Sequence, residues 1–158
     1  LVSFGVTADA LIGQSLGESA GLFGLRVWAA RDEMLGRIEE SSLFGSDLGP
    51  PFESARRFWG VKAVDWVTGV LPVAARRVRA KLFPGSKAYL LIVTTPGECV
   101  VGGERSEVLK LVGQFDAPFV PLDGVTLAHC EAGRPVERPY RALHTLPTTP
   151  PPGLTVYS

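Results

Sequence analysis

The sequence has 158 residues, of which 46% are hydrophobic and 20% are charged. This composition is typical of a folded globular chain and excludes a wholly disordered one. Lys plus Arg equal Asp plus Glu at 16 each, so the net charge of zero excludes a general electrostatic attraction to nucleic acid or acidic lipid. The length predicts a single domain over residues 1–145, followed by a C-terminal tail over 146–158.

The first predicted element is a helix over about 7–40, because apolar residues recur there at spacings of three and four. Gly13, Gly17 and Gly21 lie four residues apart and would line one side of this helix. Each glycine costs about 0.5–1 kcal/mol inside a helix, so close packing against another element or a partner must offset them. A flexible N-terminal arm is the alternative. A membrane helix is disfavoured because acidic and amide side chains lie in the same span.

The second predicted helix covers about 52–71 and follows the loop 41–51. Trp59 and Trp66 lie on its apolar seam, which indicates a buried face. Because tryptophan is also enriched at protein interfaces, a docking surface is the alternative for this seam.

The third predicted helix, about 73–83, is the most strongly charged segment. Arg76, Arg77, Arg79 and Lys81 give it a local positive patch. Such a patch suits the phosphates of RNA, an anionic lipid or the acidic surface of a partner protein. A solvated amphipathic face is the alternative.

The second half of the chain, 87–145, has strand-like patterning, so the predicted fold class is α+β with a helical half over 1–83. Apolar runs on both sides of a turn at 96–97 predict a hairpin. Residues 104–112 have the spacing of one short helix, and three further short strands are predicted between 118 and 143. The fold is therefore N-terminal helices followed by a small, mostly antiparallel sheet, with an extended Pro-rich tail.

The candidate chemistry is a thiol paired with an imidazole. Cys99 follows the predicted turn, and His129 or His144 would act as its base. An inert, buried Cys99 is the alternative reading of the same residue. The sequence contains no Cys-x-x-Cys pair and no phosphate-binding loop motif, so neither a metal site nor a cofactor is predicted.

The predicted binding features are the glycine-lined helix, the tryptophan seam, the cationic helix and the tail. Together they favour a non-catalytic accessory or structural subunit of a multi-subunit assembly, with other protein subunits as partners. Their residues are Gly13, Gly17, Gly21, Trp59, Trp66, Arg76, Arg77, Arg79 and Lys81.

The start at Leu1 fits a precursor from which a targeting peptide has been removed. We therefore expect an intracellular, mitochondrial location, in a respiratory, ATP synthase or ribosomal complex. No run of about 18 residues is free of charge, so no transmembrane span is predicted. The alternative function is a cysteine-dependent hydrolase or a self-processing polyprotein segment that uses Cys99 with His129 or His144.

Overall fold

A computed structural model describes residues 4–157. The chain forms two compact units, one from Leu1–Glu40 with Pro139–Ser158 and the other from Ser41–Arg138. The single-domain boundary at 145 stays a prediction. In chain order the strands and helices are β1 (Ala10–Ile12), α1 (Leu16–Gly24), α2 (Arg31–Glu39), α3 (Glu53–Trp59), β2 (Trp66–Leu71), α4 (Ala75–Arg79), β3 (Ala88–Thr95), β4 (Glu98–Glu104), α5 (Arg105–Val112), β5 (Val120–Pro121), α6 (Glu137–Leu143) and β6 (Thr155–Tyr157).

The first unit is organised around a two-stranded parallel sheet. β1 pairs with β6 in the register Leu11 to Val156. Leu11, Leu22 and Val27 form its buried core cluster. The C-terminal segment is also tied to the unit through an isolated bridge between Trp28 and Thr148. The end of the predicted tail is therefore a strand with a partner in this unit.

The single helix predicted over 7–40 is wrong. The segment contains strand β1 and two separate helices, α1 and α2. Positive φ values at Ser15 and Arg26 interrupt the regular helical backbone before and after α1. Spacings of three and four could not reveal β1, because its partner β6 lies far along the chain.

The second unit contains a four-stranded antiparallel sheet in the order β3-β4-β2-β5. α4 connects β2 to β3 and α5 connects β4 to β5, so the topology is the βαββαβ arrangement of ferredoxin-like folds. Its core combines the sheet residues Leu71, Cys99 and Val101 with Val78 of α4 and Val108 of α5. The hairpin and the helix predicted at 104–112 correspond to β3–β4 and α5.

The helix predicted over 52–71 is wrong beyond Trp59. α3 ends at Gly60, whose φ of 64° is left-handed, and Trp66 begins strand β2. Gly69 of this strand is closely packed, because a Cβ atom would lie 2.6 Å from the Val120 carbonyl oxygen and 2.5 Å from the Phe119 ring, and both would have to shift for a larger residue. A central strand therefore belongs to the predicted helical half 1–83, and the third predicted helix is shortened to α4.

The second half is correspondingly less β-rich than predicted. Val120–Pro121 forms the short strand β5, but Leu127–His129 and Glu131–Val136 are 3-10 turns and Glu137–Leu143 is helical. Two of the three extra strands are therefore wrong, while the α+β class is confirmed. Within residues 4–157, no helix combines the length and apolar character needed to cross a membrane.

Candidate active site

A tight turn between β1 and α1 presents a serine. The strand ends at Ile12, the helix begins at Leu16, and Ser15 is the exposed residue immediately before the helix. Its φ of 54° and ψ of −123° form a conformation that residues other than glycine rarely adopt. The Gly17 N–H donates to the Gln14 carbonyl at 2.9 Å, and the Glu18 N–H donates to the Ser15 carbonyl at 3.0 Å. The strained serine is thus held by the first turn of α1.

Two of the glycines around this turn lie in close contact with neighbouring atoms. A Cβ atom at Gly13 would lie 2.4 Å from the Glu18 Cα atom and 2.5 Å from the Glu18 backbone nitrogen. At Gly21 it would lie 2.3 Å from the Leu11 Cδ1 atom, whereas at Gly17 it would meet no atom within 4 Å. Gly13 therefore lets the turn close on the helix, and Gly21 lets β1 lie against α1.

The turn carries the motif Gly-x-Ser-x-Gly, written here as Gly13-Gln14-Ser15-Leu16-Gly17. On a strand–turn–helix this motif is a nucleophile elbow, in which a strained turn exposes the serine oxygen. The first N–H groups of a helix have no intrahelical acceptor and lie at the positive end of its dipole. The start of α1 therefore suits negative charge that develops next to Ser15.

Ser15 is absent from the residues predicted from sequence. The pentapeptide itself was the available signal. The spacing of its glycines indicates helix packing, whereas the serine between them carries the chemical signal.

The predicted nucleophile Cys99 lies in the hydrophobic core. Its side chain is fully buried, and its Sγ atom lies 3.8 Å from the Leu71 carbonyl oxygen. Burial, with a smaller effect of Glu98, raises the pKa of the Cys99 thiol. A neutral, inaccessible thiol is a poor nucleophile.

The two predicted bases occupy different units. His129 is exposed at the end of a 3-10 turn in the second unit. His144, in the first unit, stacks on Tyr140 with ring centroids 4.3 Å apart. Its Nδ1 atom lies 2.9 Å from the Tyr140 carbonyl oxygen, which can only accept, so Nδ1 carries the proton. In the neutral His144 ring, Nε2 is therefore the basic nitrogen.

Trp59 and Trp66 lie in an aromatic cluster of the second unit. Their rings stack 5.9 Å apart, and both stack on Tyr89. The Trp59 indole N–H donates to the Tyr89 hydroxyl at 2.9 Å, and that of Trp66 donates to the Thr68 hydroxyl at 2.8 Å. The indole N–H groups of both tryptophans in the predicted seam therefore have hydrogen-bond acceptors inside this unit.

The cationic residues Arg76, Arg77, Arg79 and Lys81 are exposed on α4 and directly after it. Among residues 4–157, no group of three or more His, Cys, Asp or Glu side chains is arranged to hold a metal ion.

No family model and no curated protein sequence matches the chain. Solved structures do match. The acyltransferase domain of SpnD, in complex with 2-(pent-4-yn-1-yl)malonyl, is 28% identical with a TM-score of 0.68, over 96% of this chain and 33% of that chain. The acyltransferase domain from the second module of the salinomycin polyketide synthase is 21% identical with a TM-score of 0.70, over 99% of this chain and 34% of that chain.

A third match is the acyltransferase domain of phenolphthiocerol/phthiocerol synthase A from Mycobacterium bovis (BCG). It is 18% identical with a TM-score of 0.69, over 98% of this chain and 54% of that chain. The chain therefore spans between 33% and 54% of the length of these three solved chains. Because their sequence identities are below 25%, the second and third matches show only that the fold is similar.

These similarities correct the function predicted from sequence. The matching structures are acyltransferase domains, several of them named as parts of polyketide synthases, so the prediction of a non-catalytic accessory subunit is wrong. The same similarities contradict the assignment to a respiratory, ATP synthase or ribosomal complex of mitochondria, while the intracellular location stays a prediction. The cysteine-hydrolase alternative is also wrong, because its nucleophile Cys99 is buried in the core.

Proposed function

We propose that this chain is part of an acyltransferase in which Ser15 is the nucleophile. The observation that carries this proposal is the strained backbone of Ser15 in a Gly-x-Ser-x-Gly turn between β1 and α1. The similarity to acyltransferase domains supports it from an independent direction. Fold alone does not determine function, so the proposal depends on the serine and its geometry.

The proposed reaction has two acyl-transfer steps. A base takes the proton of the Ser15 hydroxyl while the Ser15 Oγ atom attacks the carbonyl carbon of an activated acyl donor such as a thioester. The carbon–sulfur bond breaks, the leaving thiolate takes the proton from the base, and an ester forms on Ser15. An acceptor thiol or hydroxyl then gives its proton to the base and attacks that ester. The ester carbon–oxygen bond breaks, the acyl group passes to the acceptor, and the Ser15 Oγ atom takes the proton from the base.

The start of α1 would stabilise the charge that forms in both steps. The oxygen of the tetrahedral intermediate is negative, and donors fixed in advance stabilise such an oxygen without reorganising. The Leu16 N–H, directly after the nucleophile, occupies the position that supplies one donor in nucleophile elbows. Its place at the positive end of the helix dipole adds to this effect.

A malonyl-type acyl group is the proposed substrate class. This proposal is supported by the SpnD domain, whose complex contains a substituted malonyl group. The proposed reaction also requires two further groups. One is a base that takes the proton of the Ser15 hydroxyl, and the other is a second hydrogen-bond donor for the oxyanion.

A serine-directed fluorophosphonate probe tests the nucleophile. We expect the chain to be labelled at Ser15 and the Ser15→Ala variant to lose the label. Ser106→Ala is the matched control, because Ser106 is also exposed near the start of a helix, α5, but has no positive φ. Labelling that survives in Ser15→Ala, or that is lost equally in Ser106→Ala, would overturn the proposal.

A further inference from the structure

A cavity with aromatic walls lies in the second unit. Its volume is about 450 Å³, and its lining comes from the loop between α2 and α3, the start of β2, the start of α5 and the segment after β5. Three aromatic side chains contribute to it, Phe44, Phe52 and Trp66. Pockets for small molecules typically measure about 300–1,000 Å³ and are lined mainly by apolar and aromatic side chains. The cavity therefore has the size and the wall of a small-molecule pocket.

Phe52 is held in this wall by a strained backbone. Its φ of 62° and ψ of 50° are left-handed, which is rare for a bulky residue. The Phe52 N–H donates to the Gly49 carbonyl at 2.6 Å, and the Phe52 ring centroid lies 5.6 Å from that of Trp66. Strain of this kind costs on the order of 1–3 kcal/mol and is concentrated at active sites and ligand clamps. The strained residue therefore points to a function for the cavity.

The charge at the cavity is negative. Over residues 4–157, no ion pair engages Asp123, whose carboxylate belongs to the lining. Arg105, the one cation among the described lining residues, donates to the Asp65 carboxylate at 2.8 Å. The Asp65 N–H in turn donates to the Glu104 carboxylate at 3.3 Å, so a second acidic group lies beside this pair. The positive charge of Arg105 is therefore compensated, whereas the negative charge of Asp123 is not.

We propose that this aromatic cavity binds a small organic ammonium ion that has an apolar body. Aromatic rings attract ammonium groups through their π faces, and Asp123 supplies the opposite charge. The apolar body of the ligand would pack on Phe44, Phe52 and Trp66. The proposal does not depend on the activity of Ser15.

Other ligand classes fit this lining less well. An anionic ligand would be repelled by Asp123 and would find Arg105 already paired with Asp65. A metal ion needs several ligating side chains, and among residues 4–157 no group of three or more His, Cys, Asp or Glu is arranged to hold one. A neutral apolar ligand would gain nothing from the Asp123 charge. An organic cation is the class that uses both the rings and the carboxylate.

The test uses the full chain and three probes that share a phenyl ring. Phenethylammonium is the cation, phenethyl alcohol is its neutral analogue of similar size, and phenylacetate is the anion. NMR spectra of the ¹⁵N-labelled chain at neutral pH would locate and quantify binding. With phenethylammonium we expect shifts concentrated at residues 44–52, 66–68 and 121–126. Phenethyl alcohol should bind about tenfold more weakly, because it lacks the charge that the rings and the carboxylate attract, and phenylacetate should cause no shifts there.

Two pairs of variants then test the carboxylate and the rings. Asp123→Asn should weaken phenethylammonium binding about tenfold and leave phenethyl alcohol unaffected, because only the cation uses the charge. Asp116→Asn is its matched control, since Asp116 is also exposed in this unit but does not line the cavity. Phe44→Leu keeps an apolar side chain but removes a ring, so it should weaken the cation more than the alcohol. Its control is Phe58→Leu, because Phe44 and Phe58 are 37% and 38% exposed and only Phe44 lines the cavity. Circular dichroism of all four variants checks that the fold is retained.

Four outcomes would overturn the proposal. One is the absence of shifts around the cavity at a large excess of phenethylammonium. Another is equal affinity for phenethylammonium and phenethyl alcohol, which would make the site merely apolar. The third is an equal loss of affinity in Asp123→Asn and Asp116→Asn. The fourth is preferential binding of phenylacetate, which would assign the cavity to an acidic ligand.

Discussion

Gly21 of α1 lies against Leu11 of β1 so closely that a Cβ atom at position 21 would be 2.3 Å from the Leu11 Cδ1 atom. Leu11 is buried and belongs to the core cluster of the first unit. This contact lets the strand that leads into the serine turn pack closely against the helix that leaves it. The glycine is therefore part of the framework of the candidate active site.

Gly21→Ala should destabilise the chain by about 1–3 kcal/mol, the usual cost of overpacking a core. Gly24→Ala is the control in the same helix, because a Cβ atom there meets nothing within 4 Å. We expect Gly24→Ala to be neutral or to stabilise by about 0.5 kcal/mol. Urea unfolding of both variants measures the difference, and equal free energies of unfolding would contradict the packing argument.

Gly13→Ala should impair the reaction of Ser15. Its new Cβ atom would lie 2.4 Å from the backbone of Glu18, which cannot move without displacing the first turn of α1. A displacement of about 1 Å at a reacting group can cost on the order of 100-fold in rate. The rate of fluorophosphonate labelling checks this. Gly17→Ala, which meets no atom within 4 Å, should react within a few fold of the parent chain, and a similar loss in both variants would refute the steric explanation.

Substitution of each histidine tests which one acts as the general base in the proposed reaction. The chain contains only His129 and His144. Removing a general base typically costs about 10²–10⁴-fold in rate. We expect one of His129→Gln and His144→Gln to lose acylation by this amount, and the other to retain it. Rapid-quench measurement of the acyl-enzyme rate distinguishes them, and undiminished rates in both would show that neither imidazole is the base.

Stability should fall at alkaline pH because of Cys130. Burial raises the pKa of its thiol from 9.0 to about 11. The unfolded chain ionises first, so the stabilisation is complete below pH 9 and is lost as the pH rises through about 11. Relative to Cys130→Ser, the free energy of unfolding should drop by about 2–3 kcal/mol across this interval. Urea titrations at several pH values measure the drop, and parallel curves for the two proteins would contradict it.

The elements that the sequence predicted well are those with local signals. The apolar spacing over 104–112 correctly predicts α5, and the apolar runs beside the turn at 96–97 correctly predict the β3–β4 hairpin. β1 and β2 cannot be recognised from the sequence, because their apolar residues also fit helical spacings. β1 is stabilised by β6 and β2 by β4 and β5, and such distant pairing leaves no periodic trace in a short segment.

The candidate site was predictable in part. The sequence identifies the histidines as chemical groups, but it does not show that Cys99 is inert, because the burial of Cys99 by α4, α5 and the sheet is a tertiary property. The Gly-x-Ser-x-Gly motif predicts Ser15 as a nucleophile only in combination with a strand before it and a helix after it. The single helix predicted over 7–40 is incompatible with that strand–turn–helix context, because a serine inside a continuous helix does not lie in a strained turn.

The most direct test of the central proposal is the intact mass of the chain after brief incubation with a malonyl thioester and acid quenching. The proposal predicts one added malonyl group, assigned by tandem mass spectrometry to the peptide that contains Ser15, and no addition to Ser15→Ala. The result that would contradict it is an unmodified chain at saturating thioester, or a malonyl group that forms equally on Ser15→Ala.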